Sequence, residues 1–263
     1  MKTIKGLILC IQFFTSIPVP YEVPMDKTYI ERAIRMFPML GLLQGMIYTL
    51  ITYLLVEWSP LSTLAISFII WLVWILVTGG LHLDGWMDVS DAYFSYRDPK
   101  RRLDIMKDSR VGAFGVLSVM ILLSARFLFI FETIDRMTPI VYLFIFIIPF
   151  FGKIIVGMLI VTVKSAKSSG LGVMFQEAAT KGTLFTYPVY LVFLFLISYF
   201  IWPHSFFMLI VFLFFTGIYI AIIRKKIVSW FGGMTGDVLG ASIEGGETLL
   251  WMILWLLPYF VTD

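Results

Sequence analysis

Long apolar runs separated by short polar breaks dominate the chain. Seven of them approach the ~20 residues a helix needs to cross a hydrocarbon core. They are Phe37–Val56, Leu61–Gly79, Val111–Phe131, Ile140–Val163, Leu184–Trp202, Ser205–Ile223 and the shorter Glu247–Val261. Each predicts a helix, because lipid offers backbone groups no other hydrogen-bond partners. Trp58, Trp202, Trp230 and Tyr259 fall near run ends, where an interfacial aromatic belt sits. The pattern predicts an all-α, polytopic integral membrane helical bundle of about seven transmembrane helices. An N-terminal helix and cytoplasmic loop helices complete one membrane-embedded domain over residues 1–263.

Near the N-terminus, Lys2 and Lys5 precede an apolar run from Gly6 to Ile17. A secretory signal would be followed by small residues at a cleavage site. Here the run ends in Ile17-Pro18-Val19-Pro20, which predicts a retained helix on the membrane surface or against the bundle.

Composition agrees with the pattern. Hydrophobic residues make up 60% and charged residues 14% of the chain, against ~25% charged in soluble domains. The net charge of +3 is too small and dispersed to argue for nucleic acid. Cys10 is the one cysteine, so no intramolecular disulfide can form. Of the 20 Lys and Arg, only Arg136 falls in connections on one side, while Arg126 and Lys153 lie within apolar runs. The rest gather on the other side, which the positive-inside rule makes the cytoplasm. That places the N-terminus inside, in the cytoplasmic (inner) membrane of a cell. The long connections, Pro18–Met36, Gly80–Arg110, Lys164–Thr183 and Arg224–Gly246, lie on this same side. Long ordered connections tend to carry function.

Candidate chemistry concentrates there. If the chain continues as helix after Gly80, then Asp84, Asp88 and Asp91 fall at i, i+4 and i+7 on one face. Such repulsion calls for a cation, and a hard divalent ion, Mg²⁺ or Mn²⁺, suits oxygen ligands shared with substrate phosphates. A solvated acidic face is the alternative, but one emerging directly from a span is disfavoured. A second helix is expected at Asp98, an N-cap followed by Pro99, with Asp104 and Asp108 one turn apart and Lys107 and Arg110 beside them. Cations and the amides near Gly112 and Gly115 can hold phosphate, while Lys100, Arg101 and Arg102 suit topology and anionic membrane lipids. The last inner connection, Gly232–Gly246, holds six glycines and is read as a loop that approaches a ligand closely, with Asp237, Glu244 and Glu247 adding carboxylates. His82 is a candidate proton carrier or a structural histidine. Gly170-Leu171-Gly172 with Lys164 and Lys167 is a phosphate contact or a turn. Arg126 and Lys153 are expected to face the bundle interior. No acidic residue falls mid-span in this reading, which favours interfacial phosphate chemistry over transport.

Several blocks resemble the cobalamin synthase family, the adenosylcobinamide-GDP ribazoletransferases. They are Phe13-Phe14-Thr15-Ser16-Ile17-Pro18-Val19-Pro20, Gly79–Gly85 with Asp88 and Asp91, Ile105–Gly115, Gly170-Leu171-Gly172, and Gly233–Ala241. They occur in the family's order along nearly the whole chain. Lysines stand at positions 153 and 167 where the family tends to have arginine, and Ser90-Asp91-Ala92 departs from its usual second Ala-Asp-Gly-like element. The resemblance implies that α-ribazole, or its 5′-phosphate, displaces GMP from adenosylcobinamide-GDP to form adenosylcobalamin or its 5′-phosphate. It implies catalytic roles for Asp84, His82, Asp108, Lys107 and Arg110, with either a carboxylate or His82 as the base. Asp84, Asp88 and Asp91 are expected to hold Mg²⁺. Gly85, Thr235, Gly236, Asp237, Gly240, Glu244 and Lys167 are expected to bind substrate. The competing readings are a CDP-alcohol-type phosphotransferase, whose tighter Asp-Gly…Ala-Arg motif is missing, and a small-solute transporter.

Overall fold

A computed structural model describes residues 2–108 and 110–259. Eleven α-helices make up the described chain: α1 (Lys2–Phe14), α2 (Lys27–Trp58), α3 (Thr63–Thr78), α4 (Leu81–Phe94), α5 (Pro99–Ile105), α6 (Ala113–Asp135), α7 (Pro139–Thr162), α8 (Leu171–Ala178), α9 (Thr186–Ile201), α10 (Ser205–Phe231) and α11 (Gly236–Leu256). Among the described residues the only β-type pairing is an isolated bridge between Ser165 and Met234. The expected all-helical membrane bundle is what the chain forms.

Among the described residues, length and apolarity alone mark five or six spans, near the expected number of about seven. Five helical segments are long and apolar enough to cross a membrane: α2, α6, α7, α10, and α9 with its preceding turn. The pair α3–α4, bent by 86°, counts as a sixth if taken as one broken span. The run Leu61–Gly79 falls short as α3 because Gly79 and Gly80 both adopt left-handed backbone, with φ of 65° and 75°, and end it. The last expected span begins at Gly236, not Glu247, and its expected end at Val261 lies outside the described residues. With its carboxylates α11 is too polar for lipid, and it runs instead among α4, α6, α7 and α10.

Two helices form the axis. α7 is nearly all buried, and α2 lies along it with Gly41 and Gly45 against the backbone of Pro149, Phe150 and Phe146. Small residues let membrane helices approach this closely, where no hydrophobic drive separates protein from lipid. α1 packs on the start of α2, burying Leu9 and Cys10, so the N-terminal run is a helix tucked against the bundle.

Inside this bundle lies a charged network that the apolar pattern did not foretell. Arg126 on α6 meets Glu244 on α11 at 2.7 Å and donates to Thr248 Oγ1 at 2.6 Å. Glu247 accepts from Trp74 Nε1 at 2.7 Å and stands 3.9 Å from Lys153 Nζ. Arg126 and Lys153 are each 1% exposed, so both face the interior as expected. The expected placement of Glu244 and Glu247 in a cytoplasmic connection is overturned: both lie buried midway along α11, each beside a cation. Pairing is the condition on which apolar surroundings retain such charges.

Candidate active site

The charged connections meet at one end of the bundle, and backbone geometry brings them together. Ser16 N–H donates to Val77 O at 2.8 Å, tying the segment after α1 to the end of α3 beside the α3–α4 bend. After α7, Ala166 N–H donates to Met234 O at 2.9 Å and Met234 N–H to Lys164 O at 2.8 Å. Gly233 makes this possible, since a Cβ there would lie 2.5 Å from the Lys164 carbonyl. Gln176 on α8 accepts from Ser165 N–H at 2.6 Å, which docks α8 on the same strap. Thr235 then caps α11, its hydroxyl accepting from Val238 N–H at 3.1 Å.

α4 and α11 cross at two glycines. A Cβ on Gly85 would lie 2.6 Å from the Asp237 carbonyl oxygen, and one on Gly240 3.2 Å from the His82 Cα. This close crossing sets Asp84 and Asp88 of α4 beside Asp237 of α11. Lys167 Nζ lies 3.5 Å from Asp237 Oδ2. Asp88 registers the crowding: burial, and then the charges of Asp84, Asp237 and Asp91, push its carboxyl up to about 6, with Lys167 opposing.

Next to these carboxylates a cavity of about 200 Å³ opens between α1, α4, α8 and α11. Asp84, Asp237 and His82 border it, along with Phe13, Phe14, Phe175, Gly172, Gly236 and Gly240. With Ile160 of α7, five segments far apart in sequence thus share one cleft, joining an acidic rim to an aromatic wall. Carboxylates with a nearby lysine suit a polyanion accompanied by a metal ion, and the aromatic wall suits a planar ring.

The sequence model of one family, cobalamin-5-phosphate synthase, matches residues 6–255. The adenosylcobinamide-GDP ribazoletransferase of Geobacillus sp. (strain WCH70) is 39% identical over 98% of this chain and 97% of its own length. That of Geobacillus thermodenitrificans is 40% identical over 96% of both chains, and that of Alkaliphilus oremlandii 34% identical over 98% and 99%. The chain belongs to the cobalamin-5-phosphate synthase family. No solved structure matches it. The resemblance read from the motif blocks is therefore correct, and the four blocks nearest the cavity belong to segments of the family match.

The predicted site residues divide into three groups. Asp84, Asp237, His82, Gly236 and Gly240 border the cavity, with Asp88 and Lys167 beside its acidic rim. His82 is 3% exposed and stands 3.9 Å from Glu244 Oε1. A second group has a different position from the one its motif suggested. Gly232–Gly246 is a loop only to Thr235; thereafter it is helix α11, where glycines serve the approach of neighbours. Thr235 is a helix cap, and Glu244 is 2% exposed, paired with Arg126 behind His82 rather than bordering the cavity itself. Asp91 accepts from Gly112 N–H and Gly115 N–H, both at 2.7 Å, so a carboxylate occupies the helix start expected to hold phosphate. The third group lies on an exposed turn. α5 is capped by Asp98 as expected but ends at Ile105, so Asp108 is not on it. Arg110 meets Asp108 at 2.6 Å and holds its carboxyl down at about 2, while Lys107 stands 3.9 Å from Asp104. Ser109 lies outside the described residues.

Sequence reasoning gave no role to the aromatic wall. The Phe13-Phe14 pair stood in a recognised block, whereas Phe175 carried no signal beyond that of an ordinary apolar residue. The partners of Arg126 and Lys153 were also missed, although two cations inside apolar runs announced that partners had to exist.

Proposed function

We propose that the chain joins adenosylcobinamide-GDP to α-ribazole or its 5′-phosphate, releasing GMP and forming adenosylcobalamin or its 5′-phosphate. The carrying observation is the cleft in which Asp84 and Asp237 face an aromatic wall across the α4–α11 crossing. Relatives covering nearly the whole chain carry the name of this transferase. In this reading the charged end faces the cytoplasm of an inner-membrane protein, as its excess of Lys and Arg favours.

The site also fits Mg²⁺. Asp84, Asp88 and Asp237 are hard oxygen donors crowded together, with Lys167 as their nearby cation. Among the described residues no three His, Cys, Asp or Glu side chains form a ready-made metal cage. Mg²⁺ ordinarily takes one or two carboxylates and leaves other positions to water and substrate phosphates. Asp84 and Asp88, with Asp237, would hold it, and the ion when bound supplies charge neutralisation to the pyrophosphate.

The chain's own residues do the rest by position and charge, the main demand of phosphoryl transfer. Lys167 holds Asp237 in place. Lys107 and Arg110, on the exposed turn, exchange their carboxylate partners for phosphate oxygens. The hydroxyl proton of the attacking ribose passes to a rim carboxylate or to His82. Purified protein in lipid nanodiscs, given both substrates and Mg²⁺, is expected to release GMP, and a chelator is expected to stop it. Uptake of a solute without GMP release would replace this reading with transport.

A further inference from the structure

Resting on the transferase reading, we infer that the cavity beside Asp84 receives the benzimidazole base of the ribazole acceptor, and that guanine stays outside it. The reaction brings three ring systems to one site: a corrin, a guanine and a benzimidazole. At about 200 Å³ the cavity is smaller than the ~300–1,000 Å³ of drug-sized ligand sites, so it suits one small bicycle and not a corrin.

Polarity separates the other two. Guanine presents several N–H donors and acceptors along its edge. Ribazole's base has no N–H and a single free ring nitrogen. The inner wall consists of Phe13, Phe14, Phe175, Ile160, Leu239 and Ile243, none with a side-chain hydrogen-bonding atom. Guanine buried there would lose its water partners without replacement, while a benzimidazole would lose almost none. Phe14 and Phe175 stand edge-on with centroids 6.3 Å apart, and Phe13 lies edge-on to Phe175 at 5.8 Å. That arrangement offers ring faces and edges to a flat guest.

One polar group is buried in this wall. His82 is 3% exposed, and neither of its ring nitrogens has a hydrogen-bond partner. A ring N–H of this histidine would match the one free nitrogen of the base. The acidic rim then meets the ribose, because Asp84 and Asp237 border the same cavity. Phe14, Phe175 and His82 are thus residues that select the acceptor.

Steady-state kinetics in nanodiscs tests this, each substrate varied in turn. Phe14→Ala is expected to raise the KM for α-ribazole roughly tenfold, the scale of one lost aromatic contact, with the KM for adenosylcobinamide-GDP unchanged. His82→Gln, which keeps an N–H donor, is expected to preserve more acceptor affinity than His82→Leu. A rise in the adenosylcobinamide-GDP KM instead, or no change in either, would overturn the assignment. Absence of GMP release by the wild-type protein would sink the transferase reading itself. Should Phe14→Ala not insert, saturation-transfer NMR on wild-type nanodiscs with α-ribazole decides. Saturation on the benzimidazole protons that excess GMP leaves intact supports the assignment, and displacement by GMP or absent saturation refutes it.

Discussion

Two sets of carboxylates, one shared by α4 and α11 and one on α11 alone, have opposite circumstances. Asp84, Asp88 and Asp237, at the rim, repel one another with Lys167 as their nearby cation. Glu244 and Glu247, farther along α11, each have a buried cation, and Trp74 and Thr248 complete the network. The difference follows from what surrounds them. Apolar packing retains a charge only when it is paired, whereas the rim can leave charge uncompensated until a ligand arrives. Local stability is given up at the rim and kept inside, so acids of one helix serve binding at one end and structure in the middle.

The sharpest way to break this comparison is to unpair an interior acid. Arg126→Met leaves Glu244 buried and alone, at a cost of roughly 3–5 kcal/mol. Most of the folded protein should be lost, as followed by thermal unfolding in detergent, and Arg126→Met with Glu244→Leu should recover much of it. A normally stable Arg126→Met protein with defective turnover would move Glu244 from structure to chemistry. Next in size is the crossing that aligns the rim. Gly85→Ala forces α4 away from the Asp237 backbone, an overpacking of about 1–3 kcal/mol, and GMP release should fall further than the melting temperature suggests. If rates hold, the α4–α11 spacing does not position the acids.

Arg110 sharpens the contrast from the exposed side. Arg110→Gln should raise the KM for adenosylcobinamide-GDP roughly tenfold, through loss of a charge-assisted contact, without changing the melting temperature. The smallest effect is expected at Asp91, which shares a helix with the rim acids but caps α6. Asp91→Ala should lower stability by about 1–2 kcal/mol while the folded fraction keeps its turnover. A complete loss of turnover in folded Asp91→Ala protein would return Asp91 to the site.

What the sequence made legible was local. The i, i+4, i+7 acids of α4 and the Asp98-Pro99 start of α5 are properties of one helical turn and its cap, and both stand as expected. The membrane helices α2, α6, α7, α9 and α10 followed from apolar length. α11 was obscured because glycine reads as loop in a water-exposed chain, while between packed membrane helices it is the residue that lets backbones touch. Gly85 and Gly240 are of this kind, while Gly245 and Gly246 make room for the side chains of Tyr219, Trp86 and Ile155. The Arg126–Glu244 pair and the Phe14–Phe175 wall join distant segments, so no local pattern carried them. Asp91 was misleading in a third way: its spacing is that of the rim acids, but the start of α6 claims both of its oxygens.

Asp84→Asn most directly tests the claim that the rim acids form the reaction site. The change keeps the volume of the side chain and removes its charge from the mouth of the cavity. In nanodiscs, with melting temperature and elution unchanged from wild type, GMP release from adenosylcobinamide-GDP should fall by about 10³-fold or more, the scale of lost electrostatic stabilisation. Wild-type release from a folded Asp84→Asn protein would contradict the account.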